Sequence, residues 1–127
     1  MSWDRTVAVP ALVNAIDVAS GGTVFVFDRP PTTLNPPAVV VGRPVEVLYA
    51  TAGFSVDETT LPVLCVGAAE DDDTVDDLIG VVRAAVKTPG LGGAAQSCVA
   101  SAARNWRNVV LAGVEILQAE VILTIQM

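Results

Sequence analysis

Near the start of the chain, apolar residues recur every three or four positions: Val9, Leu12, Val13 and Ile16 fall on one helical face within Thr6–Ser20. Gly21 and Gly22 supply a stop, so a helix with one buried stripe is expected. Pro10 lacks an N–H and fits only a first turn, which predicts that regular helix begins close to it after a looser lead-in. The next run, TVFVF over Thr23–Phe27, is β-branched or aromatic throughout and predicts a strand covered on both faces. Pro30, Pro31, Pro36 and Pro37 then restrain themselves and their predecessors, giving an extended loop.

Two apolar runs, Ala38–Val41 and Val45–Thr51, are interrupted by Gly42-Arg43-Pro44 and read as one bent strand or two, with Val45, Val47 and Tyr49 on a common face. A turn at Ala52-Gly53 and a polar stretch from Ser55 to Thr60 lead into Leu61–Gly67 as a hairpin partner. Pro62 argues for an edge position or a bulge there, because it removes a ladder donor. Asp71, Asp72 and Asp73 then precede Val75, Leu78, Ile79, Val82 and Val86 at helical spacing, and Arg83 and Lys87 occupy the last turns. That charge order suits the dipole of a second helix, ended by Thr88-Pro89-Gly90.

From Ser97 onward the pattern is β. Leu117, Ala119, Val121, Leu123 and Ile125 alternate with Gln118, Glu120, Ile122, Thr124 and Gln126, so one face of the final strand enters the core. Ala112-Gly113 is expected to turn it back on Asn105–Leu111. Together these elements predict an α+β fold, a mostly antiparallel or mixed β-sheet with two main α-helices packed on it, as a single domain over residues 1–127.

Composition refines this picture. The 127 residues are 52% hydrophobic but only 5% aromatic, so the core is expected to be built from small, branched side chains. A chain of this size buries roughly two-thirds of its unfolded surface without disulfides or metals. No apolar stretch approaches the ~20 residues of a membrane span, and no basic segment followed by an apolar block opens the chain, so a cytosolic protein with no membrane contact is expected. Cys65 and Cys98 read as small buried hydrophobes.

The net charge of -7 is the wrong sign for gripping nucleic acid, although a surface of that sign lets DNA pass without adhering. Histidine is absent, which removes the commonest general base and metal ligand together with every Ser/His or Cys/His pair. Carboxylate pairs remain, and so does a Ser/Lys arrangement, but Lys87 is the only lysine and sits at a helix end. No catalytic residue, metal site or cofactor is therefore expected.

The acidic patch Glu70, Asp71, Asp72, Asp73, Asp76 and Asp77 invites a calcium reading. An EF-hand loop opening at Asp71 would need Gly in place of Asp76 and Glu in place of Val82. A solvated, self-capping helix start is the simpler account, with a patch facing a partner or a channel as the alternative. Gly90-Leu91-Gly92-Gly93 follows a helix and has no Lys-Ser/Thr after it, so it reads as a flexible connection, not a phosphate loop. Arg104, Trp106 and Arg107 mix residue types enriched at interfaces, and strand alternation puts Arg104 and Trp106 on one side, with core packing and an interface as equal readings of the cluster. Arg29 and Arg43 flank the proline loop and read as surface charges. Long loops on rigid scaffolds carry contacts, so Leu34, in the proline loop, and Phe54 and Asp57, in the Thr51–Thr59 loop, join Arg29, Arg43, Arg104, Trp106 and Arg107 as interface candidates.

The order of segments from Leu61 onward carries a resemblance. The strand LPVLCVG, an acidic helix start, the connection TPGLGG, an RNW hairpin and the terminal GVEILQAEVILTIQM strand resemble tail terminators of long-tailed phages, the minor tail protein U type, as found in phages of actinobacteria. The N-terminal helix, the proline loop and PAVVVGRPVEV fall in the matching order, so the resemblance covers nearly the whole chain. It implies a non-catalytic virion protein, assembled in the host cytoplasm. Such a protein forms a homo-oligomeric ring, a hexamer, on the head-proximal end of the tail. Its partners would be the major tail tube protein and a head-tail connector protein, with DNA passing through unbound. A head-side stopper or adaptor is the neighbouring alternative. A small regulatory or ligand-binding α/β domain and a carboxylate enzyme are alternatives of other classes.

Overall fold

The computed structural model describes residues 3–50, 56–111 and 113–127. Helices α1 (Arg5–Ala19) and α2 (Asp72–Ala85) and a short turn α3 (Gly90–Gly93) accompany strands β1 (Phe25–Phe27), β2 (Ala38–Val41), β3 (Glu46–Leu48), β4 (Glu58–Ala68), β5 (Ser97–Leu111) and β6 (Val114–Gln126). The sheet runs β1-β2-β4-β6-β5, with β3 pairing β4 beyond the end of β2. Among the described residues only β1 and β2 pair in parallel. This is the expected mixed, mostly antiparallel α+β architecture.

Helix α1 starts earlier than Pro10 suggested. The Asp4 carboxylate accepts the Thr6 N–H at 2.9 Å and the Thr6 hydroxyl at 2.6 Å, which caps the first turn at Arg5. Pro10 lies inside the helix on its exposed side, where the bond it forfeits is to the carbonyl of Thr6, itself an exposed residue. Ala8, Val9, Leu12 and Ile16 are buried, and Val13 is half-buried. Helix α2 follows its predicted design: Asp71 caps it, and Val75, Leu78, Ile79, Val82 and Ala85 are buried. Complete burial of a Val, Leu or Ile side chain contributes about 1.5–3 kcal/mol relative to exposure.

Both helices cover one face of the sheet, against Val39, Val41, Leu61, Val63, Cys65, Ala119, Val121, Leu123 and Ile125. Gly67 brings α2 close, since a Cβ there would stand 2.9 Å from Val75 Cγ2. The opposite face carries a smaller cluster of Leu34, Ala38, Val40, Val66 and Ile116 beneath the proline loop. The strand covered on both faces is thus β2, whose four residues are all buried. β1, where that coverage was expected, is instead a three-residue edge strand with Phe25 exposed.

Two further expectations change. Pro62 sits in β4, an interior strand paired with β2, β3 and β6. Its carbonyl accepts Gly42 N–H at 2.8 Å, and its missing donor points to that same side, into the break between β2 and β3. That break makes Ala38–Leu48 two strands. Gly90–Gly93 is not a free connection: Leu91 takes φ +52°, and its side chain is buried in the main core. The β5–β6 hairpin closes from Leu111 to Val114 as the sequence implied. The expected turn at Ala52-Gly53 lies outside the described residues.

Candidate interaction surface

The carboxylates of the acidic run serve first to start α2. The Asp71 side chain accepts the Thr74 N–H at 3.3 Å and the Thr74 hydroxyl at 2.7 Å. Glu70, Asp72, Asp73, Asp76 and Asp77 are exposed. No group of three or more His, Cys, Asp or Glu side chains able to hold a metal ion occurs among the described residues. Repulsion among these side chains is offset by the N-terminal dipole of α2 and by water.

Three of the seven basic residues gather elsewhere. Arg5, at the first turn of α1, Arg29, just after β1, and Arg43, between β2 and β3, line a surface groove of about 320 Å³ with Asp28, Pro30, Val41 and Gly42. The Arg5 Nη2 donates to the Asp28 carbonyl at 2.7 Å, which anchors the β1–β2 loop to the start of α1. Arg29 Nε lies 3.3 Å from Asp28 Oδ1. That hydrogen bond with Arg29 is the main reason the Asp28 carboxyl titrates below its usual range; the Arg29 and Arg5 charges add to it. Arg29 and Arg43 therefore do more than flank the proline loop, because folding brings them together with Arg5 in one basic depression.

On β5 the register slips between Ala100 and Ala102 and again between Arg104 and Arg107. Asn105 takes φ +58° in the second bulge, so Arg104 pairs with Glu120 and Arg107 with Gln118. Both arginines thus project from the sheet face opposite the helices, although they are three residues apart. Simple alternation, which would group Arg104 with Trp106, fails here because the bulge inserts an extra residue. Glu120 Oε2 accepts the Asn105 Nδ2 proton at 2.8 Å and lies 3.7 Å from Arg104 Nε. At 3.7 Å, with Arg104 exposed and Glu120 half-buried, such a pair contributes on the order of 1 kcal/mol. Trp106 is 43% exposed.

The remaining interface candidates take other roles. Leu34 is buried beneath its own loop, because the prolines fold the chain back onto the sheet. Asp57 is also buried: its carboxylate accepts the Trp3 and Ala50 N–H groups, each at 2.6 Å, while its backbone exchanges two hydrogen bonds with Met127. Those N–H groups, Trp3 first, hold its carboxyl below the usual carboxylate range. Phe54 lies outside the described residues. A role for Asp57 could be inferred only from tertiary pairing, since nothing near it in sequence marks it as a junction. Cys65 and Cys98 are free, buried thiols, each pushed up to about 12 by desolvation, and they remain protonated near neutral pH.

No protein-family model matches the chain, and no curated protein matches it either. Among solved structures, the fold is similar to a chain in the virion of a native gene transfer agent particle. The match has a TM-score of 0.58 at 14% identity and covers 94% of this chain and 90% of that one. With nearly the full length of both chains covered, the two share one fold. No helix among the described residues is long and apolar enough to cross a membrane.

Proposed function

We propose that this protein is a structural subunit of a phage-like virion, and specifically the tail terminator. In this reading copies form a ring, a hexamer, on the head-proximal end of the tail tube, stop its growth and offer the surface to which the head connector binds. The observation that carries the virion assignment is the fold shared, nearly end to end, with a chain of the gene transfer agent virion. The finer assignment is supported by the order of segments from LPVLCVG to GVEILQAEVILTIQM, which resembles the terminator family along most of its length. The excess of negative charge suits a conduit through which DNA slides without adhering. The role requires no catalysis and no cofactor.

Deleting the gene and imaging the particles tests the assignment. A terminator's loss yields over-long tubes lacking heads, and the wild-type gene supplied in trans restores uniform tails. Tails of normal length beside unjoined heads that leak DNA would transfer the protein to the head side, as a stopper or adaptor.

A further inference from the structure

We infer that the groove lined by Arg5, Arg29 and Arg43 receives the acidic start of α2, residues 70–77, from a second copy of this chain; this rests on the ring reading above and specifies its subunit contact. In a chain of net charge -7, three guanidinium groups around a single depression are an uneven distribution of cations. Asp28 is the only carboxylate in the lining, so the groove keeps an excess of positive charge. Guanidinium groups bind carboxylates through paired N–H donors. Exposed carboxylates of the density that would fill this groove occur on the same chain at Glu70, Asp72, Asp73, Asp76 and Asp77.

The two patches cannot satisfy each other within one molecule. Gly42, next to Arg43, bonds to Pro62, whereas α2 begins just after Ala68 at the end of β4. Six residues of strand separate these points, about 20 Å along the sheet. Complementary patches at separate places on one subunit lead to head-to-tail association, which closes into a ring when the rotation between neighbours permits. The Asp71 cap and the Arg5 tether to Asp28 stay intact in such a contact, since Asp72, Asp73 and Arg43 are exposed and Arg29, also exposed, is held, among the described residues, only by its ion pair with Asp28.

Paired charge reversal tests this contact. Arg29→Glu/Arg43→Glu and Asp72→Arg/Asp73→Arg are each purified, checked for cooperative melting by circular dichroism, and followed by sedimentation over a wide concentration range, alone and mixed. Each reversal alone is expected to weaken self-association by roughly tenfold or more, as two attractive pairs become repulsive. An equimolar mixture is expected to restore it, because alternating copies then meet opposite charge at every contact. If a variant fails to fold, the wild-type protein still reports: its self-association must weaken as salt is raised. Wild-type protein that remains a monomer throughout, association insensitive to salt, or folded reversals that associate as the wild type does would overturn the inference. So would a mixture that does not recover. Folded reversals that still terminate tubes would remove this contact and leave the terminator assignment standing. Association through this contact without any effect on tube length would do the opposite.

Discussion

Gly42 and Pro62 are locked together across the break between β2 and β3: the Gly42 N–H donates to the Pro62 carbonyl at 2.8 Å, and a Cβ on Gly42 would stand 2.8 Å from both the Pro62 Cγ and that oxygen. The proline ring and the bare glycine thus occupy one space. Gly42→Ala must push backbone against backbone in an interior strand. We expect a loss of about 1–3 kcal/mol, the usual cost of overpacking, read as a lower urea midpoint with an unchanged slope. A variant as stable as the wild type would show that the corner yields freely.

Asp57 links stability to acidity. Its folded carboxyl titrates below its ordinary value of 3.8, so the deprotonated form is favoured by folding. The contribution is full above that ordinary value and is lost as pH falls through the lowered one. Asp57→Asn is expected to lower the melting temperature at pH 7 and to narrow the gap to the wild type below about pH 3.8. A gap independent of pH would deny the carboxylate this role.

Thr59 is fully buried on the helix-facing side of β4, and its hydroxyl has no partner among the described residues. Thr59→Val removes an unsatisfied polar group while keeping a β-branched shape. A gain on the order of 1 kcal/mol in chemical denaturation is expected. A loss of stability would mean that the hydroxyl is hydrogen-bonded after all.

Leu34 separates a structural loop from a docking loop. Because it closes the second apolar cluster with Ala38, Val40, Val66 and Ile116, Leu34→Ala should destabilise the isolated protein by about 2–3 kcal/mol, measured by urea unfolding. A contact residue at an external interface would leave the isolated protein unchanged.

Elements ruled by local chemistry were the ones legible in the sequence. Asp71 before Val75, Leu78, Ile79 and Val82 announces α2, and the alternation from Leu117 to Ile125 announces β6, because both patterns depend only on neighbours along the chain. What escaped depended on distant partners. Pro62 looked like an edge residue until the break in β2 and β3 gave its missing donor a place to face. Pro10 looked like a helix start because an interior proline forfeits a bond and crowds the preceding turn, and only the buried stripe, together with the Asp4 cap, outweighs that cost. The bulge at Asn105 shifted Trp106 out of phase with Arg104; asparagine tolerates a left-handed backbone better than most residues, but its presence alone does not mark a bulge. The basic groove was invisible for the same reason: Arg5, Arg29 and Arg43 are far apart in sequence and meet only because β1 and β2 run parallel beside α1.

The measurement that tests the central claim most directly is the length of tail tubes polymerised from the matching major tail tube protein, with and without this protein added, by electron microscopy. The account predicts that added protein stops elongation and appears as extra density at one end of each tube. Tubes that keep growing with bare ends, at protein concentrations well above that of tube ends, would contradict it.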